Sequence, residues 1–154
     1  MKILVVDDVP ANRRLLRAIL ENQSIDVIEA EDGIAALEKL AQTRFDVVIA
    51  DIQMPRLDGY QLCYRVRKDP KINTIPFIIY TSTYMSAGDQ KLALDLGADK
   101  FITRPSSAQI ILDAVSELLT DSKYRKPRPN PPAELEAMKR YTEQVVAKLE
   151  QKNL

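Results

Sequence analysis

Five residues whose side chains could react or bind a ligand lie at the ends of four short apolar runs. They are Asp7, Asp8, Asp51, Thr81 and Arg104. An apolar run that ends in a polar residue is typical of a buried strand followed by a loop. In an open parallel sheet the carboxyl ends of the strands lie along one edge, and ligands bind at that edge. We therefore expect three carboxylates, one hydroxyl and one cation to meet there, a grouping that indicates a phosphoryl-accepting site.

The three carboxylates would repel one another unless a cation lies among them. Two unit charges about 4 Å apart repel by roughly 4 kcal/mol at an effective dielectric constant of about 20. Mg²⁺ relieves this repulsion, because it is usually bound by one or two carboxylates and several retained waters. Asp51 can then act as a nucleophile and form an acyl phosphate. Thr81 offers a hydroxyl donor, and Arg104 a cation, to the phosphoryl oxygens.

Each of these residues also has an ordinary structural explanation when it is taken alone. An Asp-Asp pair before a helix can be an N-cap beside a second acid that the helix dipole favours. Asp51 can begin the turn-rich sequence that follows it, and Thr81 is common in strands. Arg104 is by default a solvated surface charge. Their joint occurrence at four strand ends of one sheet favours the functional interpretation.

Apolar runs and amphipathic helical patterns alternate along the chain. Strands are expected at residues 2–6, 25–29, 45–50, 76–81 and 100–103, and helices at residues 10–22, 33–43, 59–68, 87–96 and 106–119. Strands 1 and 3 are almost uniformly apolar, as central parallel strands should be, whereas strand 2 is more polar and is expected at an edge. The pattern predicts an α/β fold, a (βα)5 flavodoxin-like three-layer sandwich with parallel sheet order 2-1-3-4-5.

The helical patterns also predict which side chains enter the core. In the first helix, Leu15, Leu16 and Leu20 lie on the predicted apolar face. In the last helix, Ile110 and Ile111 belong to the corresponding face.

The composition excludes several other kinds of protein. Of the 154 residues 45% are hydrophobic and the net charge is zero, which is typical of a globular chain. There is no histidine, which excludes Ser-His-Asp chemistry, an imidazole metal site and a phosphohistidine donor within this segment. The single cysteine excludes an intrachain disulfide. No apolar run is long enough to span a bilayer and no signal peptide is evident, so we expect a cytoplasmic protein.

The composition changes after residue 120. We predict one domain over residues 1–120, a basic Pro-rich linker over residues 121–132 and a helix over residues 133–154. Residues at 3-4-3-4 spacing in this helix indicate a short coiled-coil seam. They are Leu135, Met138, Thr142, Val145 and Leu149. An isolated helix this short is marginal in water, so we expect a partner helix and a homodimer through residues 133–154. No helix-turn-helix pattern or dense basic face is present, which argues against direct nucleic-acid binding by this segment.

Several motifs resemble those of response-regulator receiver domains from two-component signalling systems. They are Val5-Val6-Asp7-Asp8, the DxxMPxxDG run Asp51–Gly59, Thr81-Ser82 and Gly97–Phe101. The resemblance covers residues 1–120 and implies a phosphorylation-controlled switch in a phosphorelay. It implies that Asp51 accepts a phosphoryl group from the phosphohistidine of a histidine kinase or phosphotransfer protein.

The resemblance also implies roles for residues around Asp51. Mg²⁺ would be bound by Asp8, Asp51 and the backbone carbonyl of Gln53, with Asp7 acting through water. Thr81 would move toward the phosphoryl group. Phe101 would turn inward as an aromatic switch, although sequence chemistry alone favours a core position for it in strand 5.

One departure from the family pattern lies at residue 104. Receiver domains have a Lys-Pro step where this chain has Arg104-Pro105, and the resemblance marks Pro105 as a cis-peptide candidate. Arginine supplies a planar fork in place of a compact ammonium, so we expect Arg104 to contact the phosphoryl group with different geometry. The alternative is a pseudo-receiver scaffold that binds partners without phosphorylation. Gln53 and Thr83 occupy positions that tune acyl-phosphate lifetime in the family.

A second alternative is a phosphatase of the haloacid-dehalogenase kind, which also uses an Asp nucleophile and Mg²⁺. That class has a second Asp two residues after the nucleophile, where this chain has Gln53, so we expect no enzyme activity beyond self-phosphorylation and self-dephosphorylation. The tail resembles the connector helices that join receivers to sensor or histidine-kinase modules. We therefore expect this segment to belong to a longer signalling protein, with a histidine kinase as one form of the parent.

Overall fold

The computed structural model describes residues 1–82, 87–126 and 141–142, and within them five strands alternate with five α-helices. The strands are β1 (Lys2–Val6), β2 (Asp26–Ala30), β3 (Val47–Ala50), β4 (Phe77–Thr81) and β5 (Lys100–Thr103). The helices are α1 (Pro10–Glu21), α2 (Gly33–Gln42), α3 (Gly59–Lys68), α4 (Ala87–Asp95) and α5 (Ala108–Thr120). All strand pairs are parallel and the sheet order is 2-1-3-4-5, which confirms the predicted fold.

The strands are apolar because both faces of the sheet are covered by helices. Alternate residues of each central strand point to opposite faces, so β1 and β3 each contribute to two cores. One core contains Leu4 and Val48 and is covered by α2, α3 and α4. The other contains Ile3 and Ile49 and is covered by α1 and α5. Each fully buried Leu or Ile contributes about 1.5–3 kcal/mol through burial.

The strand register brings the predicted site residues to one edge of the sheet. Val6 lies opposite Ala50 across the β1–β3 pair, so Asp7 and Asp51 leave neighbouring strands at the same level. Across the β4–β5 pair, Thr81 lies opposite Thr103, and the next residue is Arg104. The topology therefore places these side chains at the carboxyl edge of the four strands β1, β3, β4 and β5.

Two of the predicted core positions are wrong. Leu15 is 59% exposed and Ile110 is 51% exposed, whereas Leu16 and Ile111 beside them are buried. Successive helical residues point about 100° apart, because an α-helix has 3.6 residues per turn. A helix that packs on one sheet face buries a single stripe, and Leu15 and Ile110 lie outside it.

The chain after α5 continues with a 3-10 helix, Ser122–Arg125, inside the segment predicted as a linker. The Tyr124 hydroxyl donates to Glu117 Oε1 of α5 at 3.1 Å. Residues 141–142 are helical, and the rest of the predicted helix over residues 133–154 lies outside the described residues, so that helix stays a prediction. Thr142 is exposed, and the other four residues of the predicted seam lie outside the described part of the chain. Among the described helices, none combines the length and apolar character needed to cross a bilayer.

Candidate functional site

Three carboxylates meet at the carboxyl edge of the sheet. Oxygen atoms of Asp7, Asp8 and Asp51 all lie within 4.8 Å of one another. Asp7 and Asp51 are buried, whereas Asp8 is exposed. The site is therefore a buried acidic pair with a third carboxylate open to solvent, and a ligand can approach it from that side.

The turn after β1 orients Asp7. Its Oδ1 accepts a hydrogen bond from the Val9 backbone N–H at 2.9 Å, just before α1 begins at Pro10. Burial raises the pKa of Asp7, and the nearby Asp51 charge raises it further, while the Val9 bond and Arg104 oppose the shift. Burial is the largest cause of the shift, so the ionised form of Asp7 is less favourable at this edge than in water.

Local backbone geometry holds Asp51 in place. Its Oδ1 accepts from the Ile52 backbone N–H at 2.7 Å, and its own N–H donates to Val6 O at 3.0 Å. The loop after Asp51 returns so closely that a Cβ added at Gly59 would lie 2.2 Å from the Asp51 carbonyl oxygen. Only glycine lets α3 begin this close to the acid, which gives the DxxMPxxDG run a steric explanation.

Arg104 bridges two of the three carboxylates. Its Nη1 donates to Asp7 Oδ2 at 3.3 Å and its Nη2 donates to Asp51 Oδ2 at 3.0 Å. The guanidinium carbon lies 5.3 Å from the Tyr80 ring centroid, within range of a cation–π contact. Its buried Nε has no hydrogen-bond acceptor among the described residues. The guanidinium thus contacts the carboxylates where the sequence predicted a contact with a phosphoryl group.

The remaining predicted residues surround this cluster. Thr81 is fully buried at the end of β4, and its carbonyl accepts from the Arg104 N–H at 2.8 Å. Phe101 is half-buried in β5 and packs on the core cluster beneath α2, α3 and α4. Gln53 is exposed in the loop after Asp51. The Arg104–Pro105 peptide bond is cis. Thr83 lies outside the described residues.

Sequence reasoning missed Tyr80 as a neighbour of the site. Tyr80 stands one residue before Thr81, so the two side chains point to opposite faces of the sheet. The Arg104 guanidinium lies over the Tyr80 ring. The available signal was its chemistry, because Tyr80 is the one aromatic residue with a polar end in the run 77–81.

The charges at this edge fit a hard divalent cation. Three clustered carboxylates lie beside the Arg104 guanidinium, and the charge of Asp51 adds to the effect of burial in raising the pKa of Asp7. Oxygen ligands of this kind suit Mg²⁺.

Comparisons with known proteins agree with this geometry. The family model described as the response regulator receiver domain matches residues 3–116. The chain belongs to this family. Protein PilG of Pseudomonas aeruginosa is 35% identical over 115 residues, which are 75% of this chain and 84% of that protein. The response regulator PleD of Caulobacter vibrioides is 36% identical, and this chain spans only 26% of the length of that protein.

Solved receiver structures share the fold. The receiver domain of a signal transduction histidine kinase from Syntrophus aciditrophicus has a TM-score of 0.74 and 33% identity, covering 83% of this chain and 96% of that one. The receiver domain of the sensor histidine kinase PA1611 from Pseudomonas aeruginosa has a TM-score of 0.71 and 25% identity, covering 78% of this chain and 98% of that one. That structure holds a magnesium ion in its active-site cleft. The comparisons give no specific support to the pseudo-receiver alternative.

Proposed function

We propose that Asp51 is the phosphoryl acceptor of this receiver and that phosphorylation changes its contacts with partners. The observation that carries the proposal is the cluster of three carboxylate groups within 4.8 Å, with Asp51 at the end of a central strand. The acceptor would be positioned before any donor arrives, because Ile52 and Arg104 each hold one of its oxygens. Such preorganisation lowers the cost of reaching a reactive geometry.

Mg²⁺ is the cofactor we propose for this site. Asp8, Asp51 and the backbone carbonyl of Gln53 would hold it, and Asp7 would act through a bound water. When bound, the ion neutralises charge on the arriving phosphoryl group. Asp8 is exposed, so its carboxylate is accessible to an ion that arrives from solvent.

The proposed transfer forms one bond and breaks one. A carboxylate oxygen of Asp51 attacks phosphorus of a phosphohistidine on the partner, and the P–N bond breaks as its electron pair returns to the imidazole nitrogen. The nitrogen takes a proton from water, so the products are an aspartyl phosphate on this chain and a neutral imidazole on the kinase or phosphotransfer protein. The lack of histidine in this chain supports a donor on another polypeptide or in another part of a longer protein.

Arg104 and Thr81 are proposed to bind the phosphoryl oxygens after transfer. Arg104 is already within 3.0 Å of Asp51 Oδ2, so a small movement would place the guanidinium on the new phosphoryl group. Thr81 would then approach from the end of β4, and Phe101, half-buried in the neighbouring strand, would turn inward. Gln53 and Thr83 would affect the lifetime of the acyl phosphate.

The proposal extends to the surroundings of the domain. Receiver domains exchange phosphoryl groups with histidine kinases or phosphotransfer proteins, and we propose that this one does so in the cytoplasm. We also propose that residues 121–132 link the receiver to a connector helix over residues 133–154, that this helix pairs two copies, and that the segment does not itself bind nucleic acid. The histidine-kinase origin of two similar receiver structures supports a longer parent protein.

Intact-mass measurement after incubation with acetyl phosphate and Mg²⁺ tests the acceptor. We expect a gain of about 80 Da, the mass added by one phosphoryl group, in the wild-type chain. Asp51→Asn should abolish the gain, and removal of Mg²⁺ with a chelator should reduce it strongly. Asp26→Asn is the matched control, because Asp26 is exposed at the opposite, amino end of β2. An equal mass gain in the Asp51→Asn protein would contradict the proposal.

A further inference from the structure

A tyrosine from the C-terminal segment lies against the start of α3. The Tyr141 hydroxyl donates a hydrogen bond to Asp58 Oδ2. Its ring meets the Tyr60 ring edge to face, with centroids 6.0 Å apart and planes at 81°. Tyr141 is half-buried and packs on the core cluster beneath α2, α3 and α4. A residue far from the domain in sequence therefore makes both a polar and an apolar contact with it.

Asp58 has an oxygen available for this contact. It is the N-cap of α3, and its Oδ1 accepts from the Gln61 backbone N–H at 2.9 Å, while the Gln61 side chain accepts from the Asp58 N–H at 3.1 Å. This capping box uses Oδ1 and leaves Oδ2 for Tyr141. Burial raises the pKa of Asp58, and the bond from Tyr141 opposes that shift, so the phenol stabilises the ionised carboxylate.

Tyr60 supplies a rigid ring for Tyr141 to pack against. Only 1% of Tyr60 is exposed, and its hydroxyl donates to Asp89 Oδ1 of α4 at 3.0 Å. Burial and this hydrogen bond restrict the Tyr60 ring, which packs against Tyr141. An edge-to-face arrangement at this separation is favourable for two aromatic rings.

We propose that Asp58 and Tyr60 form a docking site for the segment of this same chain that carries Tyr141. The chain is long enough to reach the site, because the 15 residues from Lys126 to Tyr141 can span roughly 50 Å when extended. A tethered segment also has a high effective concentration at its own domain, which favours capture within one chain over capture from another. The dock holds Tyr141 and the neighbouring helical residue Thr142 at the receiver.

The dock is structurally connected to the acidic site. Asp58 and Gly59 end the loop that begins at Asp51, and the Gly59 N–H donates to Ile52 O at 2.9 Å. The docked tyrosine therefore lies at the far end of the loop that carries the proposed phosphoryl acceptor. The docking itself does not require phosphorylation, so it can be tested in the unphosphorylated protein.

Hydrogen–deuterium exchange of the full chain tests the dock. In the Tyr141→Ala protein, we expect amides of residues 59–63 and of the peptide containing residues 141–142 to exchange several-fold faster than in wild type. Tyr141→Phe keeps the ring and loses the hydroxyl, so it should accelerate the same peptides less. Tyr124→Ala is the matched control, because Tyr124 also lies after α5 and donates to a carboxylate, Glu117, away from the dock. It should leave both peptides unchanged.

Two results would overturn the inference. Exchange in the Tyr141→Ala protein equal to that in wild type would show that Tyr141 is not docked. Protection that disappears on dilution, with sedimentation showing a change from dimer to monomer, would show that the tyrosine comes from a second copy. Because these measurements do not involve phosphate, failure of the dock and failure of Asp51 phosphorylation would be distinguishable.

Discussion

Two arginines at opposite edges of the same sheet, Arg67 and Arg104, differ in how many of their N–H groups have hydrogen-bond acceptors. Arg67 of α3 lies near the amino ends of β4 and β5, where Asp99 precedes β5. Arg104 lies at the carboxyl edge beside Asp7 and Asp51. Both contact carboxylates whose side chains are buried, and only the pairs of Arg104 belong to the proposed phosphoryl site.

Every nitrogen of the Arg67 guanidinium has an acceptor. Its guanidinium donates four hydrogen bonds, with lengths of 2.7–3.1 Å. The acceptors are the carbonyls of Gly97, Asn73 and Ile75 and the carboxylate of Asp99. Only 1% of the Arg67 side chain is exposed. Arg67 therefore joins α3 to the chain segments that lead into β4 and β5. Its hydrogen bonds all go to groups of the protein itself.

Arg104 has fewer partners and must share them. It donates two hydrogen bonds, of 3.0 and 3.3 Å, and its Nε has no acceptor in the described ranges. The two carboxylates that it contacts also face a third, on Asp8. A cluster with more negative than positive charge can accept a cation or exchange partners at low cost. Incomplete hydrogen bonding, and not burial of an ion pair, therefore distinguishes the proposed phosphoryl site from the surroundings of Arg67.

The largest effect is expected at Arg67. Arg67→Met should lower the free energy of unfolding by about 3–5 kcal/mol, because removing one partner of a buried ion pair leaves the other charge uncompensated. Urea unfolding followed by circular dichroism measures the loss. Arg65→Met, at an exposed position of the same helix, is the control and should change stability by less than about 0.5 kcal/mol. A loss at Arg67 as small as that of the control would end the structural interpretation.

An intermediate effect is expected at Arg104, where Mg²⁺ should reveal the difference between the two sites. Arg104→Met removes the guanidinium that contacts oxygens of Asp7 and Asp51. Mg²⁺ should therefore bind roughly tenfold more tightly, which corresponds to about 1.4 kcal/mol of binding free energy. Calorimetric titration of the unphosphorylated chain measures this change. Mg²⁺ should also raise the unfolding free energy of this variant through binding to the folded state, and by more than it raises that of Arg67→Met, in which Arg104 still occupies the acidic site.

Arg17→Met controls for the loss of one positive charge. Arg17 pairs with Glu21 and Glu29, so it makes no ion pair with the acidic cluster. Tightening of Mg²⁺ binding by this substitution to the same degree would mean that net charge, and not the guanidinium bridge, controls affinity.

The smallest effect is expected for a third arginine–carboxylate pair, Arg56 with Asp32. Arg56 is 55% exposed, so Asp32→Asn should cost at most about 1 kcal/mol at pH 7. The hydrogen bond from Arg56 lowers the pKa of Asp32 in the folded state. The advantage of wild type is therefore present above the unfolded pKa of about 4 and is lost as the pH falls through the lower folded value.

Urea unfolding of both proteins over an acidic pH series measures this difference. Asparagine keeps an oxygen for the Ala35 N–H that Asp32 caps at α2, so the comparison isolates the charge. A stability difference that grows toward acid would show that the sign is wrong.

The sequence predicted which residues meet at the site, but it did not predict the hydrogen bonds among them. Asp7, Asp51, Thr81 and Arg104 follow or end apolar runs, and parallel pairing brings such positions to one edge. The sequence did not reveal that Arg104 would lie between two carboxylates or stack on Tyr80. Those contacts depend on side-chain directions that strand periodicity does not specify beyond one face or the other.

Arg67 is a second residue whose contacts the sequence did not predict. It stands in a basic last turn of α3, where an arginine is ordinarily solvated. It is buried because Gly97 and Asp99, about thirty residues later in the sequence, approach it from the start of β5. Gly97 adopts φ +113°, and a Cβ there would lie 2.5 Å from Arg67 Cγ.

The sequence by itself determined the layered α/β fold, the strand order and the group of residues at the carboxyl edge. It could do so because hydrophobic periodicity and crossover handedness act on short stretches of chain. Tertiary structure alone decided that Leu15 and Ile110 face solvent and that Tyr141 contacts Asp58. It also decided that every nitrogen of Arg67 has an acceptor, whereas Arg104 bridges two carboxylates. These outcomes depend on contacts between distant segments, whose energies exist only after the chain has folded.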